Sequence, residues 1–343
     1  MDYINLGIRG PRVSRIAFGN WSAGGDWGSV DRRAAIDTAR QALDLGITFF
    51  DTARAYGFGA AEALLGEALA PELRPRREGI VIATKGGLSQ GANGKPFRDA
   101  SAGALRRDLE ASLRSLGTDF VDLYQVHWPD PTTPFAESAE ALGTFVDEGK
   151  VRFIGVSNYD SREMAAFQQT RPLDTLQPPY HLFRRGIEQS VLPFTSEHGI
   201  GVLVYGPLAH GLLTGRMTEA TTFAPDDWRS KSAAFRGETF SRNLRIVDDL
   251  EAFAEAIADI LLDEFAASWV RVRVVKPRKF DNVQTVGVQI ERRARCCGAA
   301  PDRQRDGAGQ ALTRVRGAGQ ALTAAARRPT GAPVGKSRSP PSP

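Results

Sequence analysis

Two cysteines in 343 residues, adjacent at Cys296 and Cys297, exclude a disulfide framework and match no zinc-site spacing. The four histidines, His127, His181, His198 and His210, contain no H-x-x-x-H pair, so no metal is expected. No stretch approaches the roughly 18 consecutive apolar residues of a membrane span. The opening MDYINLGIRG has no basic region followed by an apolar one, which leads to the expectation of a cytoplasmic protein with no membrane partner. A G-x-G-x-x-G fingerprint is also missing. GFGAAE at Gly57 and the GAGQAL copies near the end lack the third glycine and follow no suitable strand, which argues against a dinucleotide-binding open sheet.

What is present is an ordinary globular composition, 42% hydrophobic and 24% charged, on a chain long enough for two domains or one barrel. Short apolar runs alternate with segments of helical period. The runs are RIAFG (15–19), ITFFD (47–51), IVIATK (80–85), VDLYQVH (121–127), VRFIGVSN (151–158), DTLQPPY (174–180) and IGVLVYGP (200–207). Between them, DRRAAIDTARQALDLG places Ala35, Ile36, Ala39, Ala42 and Leu43 at three-to-four spacing, with Gly46 as a stop. SAGALRRDLEASLRSLG opens on Ser101 and closes on Gly117, and PFAESAEALGTFVDEG closes on Gly149. Seven strand-helix units before residue 220 predict an α/β fold of the (β/α)8 TIM barrel class. A helix from about Asn243 to Val270 and an eighth strand at TVGV (285–288) complete the expectation.

The net charge of +4 is unevenly distributed. From Arg292 onward there are 11 Lys and Arg against 2 Asp, a local +9, leaving about −5 for residues 1–291. This segment has no aromatic residue, repeats GAGQALT ten residues apart and ends in Pro and Ser. Too little apolar surface offsets its ordering entropy, so the division is a barrel over 1–291 and a low-complexity basic tail over 292–343, disordered after about residue 295.

In a parallel barrel the functional face lies at the C-terminal ends of the strands. Asp51 ends the second run, Lys85 the third and His127 the fourth. Ser157 and Asn158 end the fifth, Gln177 the sixth and Tyr205 the seventh, while Tyr56 follows Asp51 by five residues. Singly, each has a plain structural role open to it: Asp51 as a turn cap, Lys85 as a solvated loop lysine, His127 as a hydrogen-bonded core histidine, Tyr56 as a plug. Their joint occurrence points to one site. A lysine beside a phenol favours the phenolate and lowers the tyrosine pKa from about 10 toward working pH. Asp51 would hold that lysine charged, and a neutral His127 could donate to a carbonyl oxygen. Such a quartet suits proton delivery to a carbonyl as it becomes an alkoxide, with a hydride donor opposite.

FFDTARAYG, IATKGG, LYQVHWPDP, GKVRFIGVSN and VLVYGPLAHGLLTG together resemble the aldo-keto reductases, from about Ile4 to the eighth strand near Gly287. The resemblance implies a (β/α)8 barrel that binds NADPH without a Rossmann domain and reduces a small aldehyde or ketone substrate. It implies Tyr56 as general acid, Lys85 and Asp51 as the pair that tunes it, and His127 as the donor that orients the carbonyl. Ser157, Asn158 and Gln177 would bind the nicotinamide carboxamide, Tyr205 would stack on its ring, and Gly206, Pro207, Leu208 and Gly211 would follow the pyrophosphate. Trp21 and Trp128 are candidates for the substrate mouth. The family's 2′-phosphate pattern has no match in TVGVQIERRARCC. Arg292 and Arg293, or Lys276, Arg278 and Lys279, stand in as candidates. The competing reading is a cofactor-sensing regulatory protein on the same barrel, against which the intact quartet argues. The tail offers charge without aromatics for base stacking, so no specific nucleic acid partner is expected.

Overall fold

The structure is a computed structural model that describes residues 1–73, 75–91, 96–264, 269–273 and 289–293, with side chains as far as residue 255. The chain divides into two units, Met1–Ala294 and Arg295–Pro343. The second unit, with Cys296, Cys297 and the tail expected to lack order, lies outside the described residues. So do TVGV (285–288), Lys276, Arg278 and Lys279.

An antiparallel hairpin comes first, β1 (Tyr3–Asn5) with β2 (Arg12–Ser14). Parallel strands then alternate with helices: β3 (Ala17–Gly19), α1 (Arg32–Asp44), β4 (Phe49–Asp51), α2 (Ala60–Leu73) and β5 (Val81–Gly86). A second hairpin follows, β6 (Leu88–Gln90) with β7 (Pro96–Arg98). Next come α3 (Ala102–Leu116), β8 (Val121–Val126), α4 (Phe135–Asp147), β9 (Val151–Ser157), α5 (Ser161–Gln168), β10 (Thr175–Gln177), α6 (Val191–Glu197) and β11 (Gly201–Val202). Seven of these strands form one sheet in the order β11-β10-β9-β8-β5-β4-β3, every pairing parallel. This is the (β/α)8 class, with seven of its strands among the described residues.

Local chemistry sets the helix ends. Asp31 accepts from Ala34 N at the start of α1, Ser101 accepts from Ala104 N at α3, and Asp160 with Glu163 forms a capping box at α5. Gly117 ends α3 in the left-handed region at φ 67°.

Strand alternation divides the core in two. Phe49, Ala83 and Leu123 point to one face, where Leu6 and Val13 of the hairpin and Leu203 complete a small cluster. Phe50, Ile82, Tyr124, Val126, Ile154 and Leu176 point to the other and pack under the helices. Asp51, Lys85 and Gln177 share the inner parity: Asp51 pairs with Ala83, Lys85 with Gln125, Gln125 with Gly155, and Gln177 with Ser157 beyond it. Register therefore directs these polar groups to the same side of the sheet.

Several elements differ from expectation. The late helix runs Gly237–Glu264 (α7), not to Val270, which instead lies in β12 (Trp269–Arg273) opposite β13 (Gln289–Arg293). The β-branched alternation of WVRVR favours strand over helix there. Arg292 and Arg293, assigned to the tail, sit in β13 opposite Val270 and Trp269. Helix α2 escaped sequence reading because it carries no polar stripe: Ala61, Leu64, Leu65, Gly66, Ala68 and Leu69 are all buried.

Candidate active site

Asp51 stands at the end of β4 and Lys85 near the end of β5, and their side chains meet. The Lys85 ammonium, completely buried, donates to Asp51 Oδ1 at 2.9 Å, Asp51 Oδ2 at 2.8 Å and the Thr52 carbonyl at 2.8 Å. Three protons thus have three acceptors. From the far side Gln177 Nε2 donates to Asp51 Oδ1 at 2.8 Å, which ties β10 to β4 across 126 residues of sequence. Removing either partner of such a buried pair leaves an uncompensated charge, at a cost of about 3–5 kcal/mol.

Tyr56 begins the kinked turn Tyr56–Gly59 between β4 and α2, in which Gly57 (φ 61°) and Phe58 (φ 48°) are left-handed. Its ring lies 5.2 Å from Lys85 Nζ and meets the His127 imidazole edge-on at 5.7 Å. A neighbouring lysine by itself would lower the phenol's pKa. The structure reverses that: burial, and then the negative charge of Asp51, push it well above its ordinary value of 10.0. Lys85 is committed to Asp51 and Thr52, so the phenol is governed by desolvation that sequence does not reveal. Tyr56 therefore keeps its proton across the physiological range.

Burial, aided by the Lys85 charge, lowers His127 to about 3, so its imidazole is neutral and carries one N–H. Its Nδ1 is buried without a hydrogen-bond partner. Its backbone is fixed, the amide donating to Gly86 O at 2.9 Å and the carbonyl accepting from Asn158 Nδ2 at 3.0 Å.

The remaining strand-end residues form a network. Ser157 Oγ donates to Gln177 O at 2.9 Å, Asn158 Nδ2 donates also to Ser157 Oγ at 3.0 Å, and Tyr205 OH donates to Asn158 Oδ1 at 2.9 Å. Asn158 holds this position in the left-handed region, at φ 65°. A cavity of about 130 Å³ is bounded by Trp21, Tyr56, His127, Trp128, Ser157, Asn158, Gln177 and Tyr205. A larger one, about 460 Å³, shares Trp21, Tyr56, Gln177 and Tyr205 and extends along Gly206, Pro207 and Leu208. Gly211 closes the same loop without lining that cavity. In this loop Gly206 (φ 63°), Ala209 (φ 49°), His210 (φ 56°) and Gly211 (φ 100°) are left-handed, while Leu208 (φ −94°) is not. Two of its N–H groups are spent inside the loop, Ala209 N donating to Gly206 O at 2.8 Å and Gly211 N to Leu208 O at 3.1 Å.

Eight of the residues singled out from sequence, Asp51, Tyr56, His127, Ser157, Asn158, Gln177, Tyr205 and Trp21, line one or both of these cavities, and Lys85 lies buried behind Asp51 and Tyr56. Trp128 joins them at the smaller cavity, under the Arg98 guanidinium at 5.0 Å. Arg292 lies on β13, where side chains are not described. Sequence reasoning missed an aromatic wall: Trp21 stacks on Trp228 at 5.5 Å and meets Trp27 edge-on at 5.2 Å, and His210 lies 4.8 Å from Trp228. The second tryptophan of WSAGGDW was the available signal. Burial lowers His210 to about 4, so it too is neutral.

The model of the Aldo/keto reductase family matches residues 15–293. The chain is 42% identical to aldo-keto reductase YhdN of Bacillus subtilis, over 79% of this chain and 81% of that protein. It is 34% identical to the NADH-specific methylglyoxal reductase of Escherichia coli, over 79% and 86%. Among solved structures, glycerol dehydrogenase AKR11B4 from Gluconobacter oxydans superposes with a TM-score of 0.65 at 41% identity, covering 75% of this chain and 79% of that one.

Proposed function

The chain belongs to the aldo/keto reductase family, oxidoreductases that act on carbonyls with a nicotinamide cofactor, and from that premise we propose that it reduces a small aldehyde or ketone with NADPH, Tyr56 delivering the proton. The observation that carries this reading is the convergence of Tyr56, Lys85, Asp51 and His127 at one rim, where Tyr56 lines two cavities, one with Asp51 and one with His127, and Lys85 lies behind it.

A nicotinamide cofactor, when bound, would supply a hydride for the carbonyl carbon. The protein's part concerns the oxygen. Neutral His127, with an unsatisfied ring nitrogen, donates its N–H to the carbonyl and fixes its direction. Tyr56 gives its proton to the same oxygen as negative charge grows there. A phenol held above its ordinary pKa is a weak acid, but an alkoxide is a stronger base than a phenolate, so the transfer runs downhill. Asp51 anchors Lys85, and Lys85 places a positive charge 5.2 Å from the ring that loses the proton. The charge favours the phenolate at the moment it forms.

The donor set suits a nicotinamide cofactor. We assign Ser157, Asn158 and Gln177 to the carboxamide and Tyr205 to a flat wall beside its ring, and the turn through Gly206, Pro207 and Leu208, closed by Gly211, lines the larger cavity, along which a pyrophosphate would lie. Arg292 remains our candidate for the 2′-phosphate, and Trp21 and Trp128 for the substrate wall. Substrate lined by Trp21 and Trp128 would present its carbonyl to Tyr56 and His127.

The test is oxidation of NADPH by a panel of aldehydes, ketones and keto sugars, with Tyr56→Phe as control and NADH in a parallel series. Turnover that survives Tyr56→Phe unchanged sinks the reading. A preference for NADH corrects the cofactor and leaves the chemistry standing.

A further inference from the structure

Behind the rim, on the opposite face of β5, lies a second charged group that the chemistry above does not use. Glu62, in the first turn of α2, is completely buried. Its Oε1 accepts from Thr84 Oγ1 at 2.6 Å. Thr84 directly precedes Lys85, and alternation sends its side chain outward while that of Lys85 goes inward. The other oxygen, Oε2, has no hydrogen-bond partner and lies 3.8 Å from Arg54 Nη1.

Arg54 occupies the segment that joins Asp51 to Tyr56, and its backbone N–H donates to the Lys85 carbonyl at 3.0 Å. Its guanidinium fills the space under the Tyr56 turn: a Cβ on Gly59, where φ is 106°, would collide with Arg54 Nη1. Asp108 of α3 interacts electrostatically with the same cation, and its Oδ2 accepts from Gly87 N at 2.9 Å. The hydroxyls of Ser112 and Tyr124 complete the ring of polar groups facing Glu62 and Arg54. One partly exposed arginine thus serves the buried Glu62 and the half-buried Asp108, and desolvation pushes both carboxyls up. A leucine at position 62 would fill the same space without that desolvation, so packing alone does not account for the acid.

We propose that Glu62 and Arg54 are positioning residues for the Tyr56–Lys85 pair. Glu62 pins the back of β5 at Thr84, one residue from Lys85, and Arg54 supports the turn that carries Tyr56. Their ion pair fixes the separation of the two groups that must cooperate on one oxygen. A misplacement of about 1 Å at such a site costs on the order of 100-fold in rate. The inference rests on the reductase reading above.

The experiment compares Arg54→Ala, Arg54→Lys, Glu62→Gln and Thr84→Val with the wild type on the best carbonyl substrate of the panel. It measures kcat per NADPH-binding site, KM for the carbonyl and NADPH affinity by fluorescence titration. Arg54→Ala is expected to lower kcat per site by about 10- to 100-fold, with NADPH affinity within threefold. Arg54→Lys recovers part of the loss, because an ammonium there still faces Glu62. Glu62→Gln keeps the Thr84 contact and loses less than Arg54→Ala, and Thr84→Val, nearly isosteric, lowers kcat without loss of binding sites. If kcat per site in Arg54→Ala and Thr84→Val stays within fivefold of wild type, or if activity and binding sites disappear together, the positioning role is overturned. Tyr56→Phe in the same series separates the two ideas: full activity there defeats the reductase reading, whereas an inactive Tyr56→Phe beside unaffected Arg54 and Thr84 variants defeats only this inference.

Discussion

The two ends of strands β5 and β8 carry buried charge of similar make-up, yet they are built to opposite purposes. At the N-terminal end, Asp122 of β8 accepts from Ile82 N at 2.9 Å and pairs with Arg77 at 2.8 Å and Arg152 at 3.3 Å. The two guanidinium groups lie against the Phe120 ring at 3.9 and 4.1 Å. Arg77 also donates to Ile80 O and Phe120 O, so the cluster closes on itself. At the C-terminal end, Lys85 is saturated by Asp51 and Thr52, but His127 Nδ1 has no partner and Tyr56 faces a cavity. Charge density does not distinguish a site from a brace. Unspent hydrogen-bonding capacity beside open space does, in keeping with the division of barrel enzymes into a working face and a stabilising one.

The sharpest way to break this contrast is to exchange the effects of substitution at the two ends. Tyr56→Phe is expected to cost about 10²–10⁴ in kcat, roughly 3–5 kcal/mol of transition-state stabilisation, while the urea midpoint barely moves. Asp122→Ala should do the reverse. It strands Ile82 N and removes the anion between two arginines, and the expected loss is about 3 kcal/mol in urea unfolding, with kcat of the remaining folded protein near wild type. A large catalytic loss at Asp122, or a large stability loss at Tyr56, would show that the ends are not separable.

Acid should attack the working end first. Two histidines are held neutral, His127 at about 3 and His210 at about 4, against 6.5 in an unfolded chain. Between those values the unfolded state binds more protons than the folded one, so stability rises with pH across that window and falls as pH drops below about 6.5. The combined loss at pH 4.5 is of the order of a few kcal/mol, and His127→Gln should remove part of it. Denaturant titrations at pH 7.5 and 4.5 check this, and a loss that His127→Gln leaves whole assigns the acid sensitivity elsewhere. The smallest effect is expected at Gly206→Ala. Alanine at φ 63° costs about 1–2 kcal/mol, and its Cβ would stand 3.1 Å from the His210 ring. NADPH affinity should weaken severalfold with kcat nearly unchanged, and titration of NADPH fluorescence measures it.

Much of this site was legible because strand ends announce themselves: an apolar run that stops on Asp51, Lys85 or His127 marks both the strand and the rim that carries the candidate site. Caps at Asp31, Ser101 and Asp160 were equally local, and Gly46 at φ 87° acts as the stop that its position suggested. Short strands and short hairpins were harder. β1 and β2 span three residues each, too few for a period, although Leu6 and Val13 complete the inner core. The Trp21, Trp27, Trp228 and His210 wall draws on segments about 200 residues apart, and no window along the chain contains both halves.

The order of amino acids by itself fixed the alternation of strand and helix, the parity that sends Lys85 inward and Thr84 outward, and the chemical types gathered at the rim, because each depends on neighbours a few residues away. Tertiary packing decided the rest. Whether Tyr56 is pulled toward phenolate or held as phenol, which acceptors use up the protons of Lys85, and that a buried Glu62 meets Arg54 behind them are matters of desolvation and distance, and both come into being only when remote segments exclude water together.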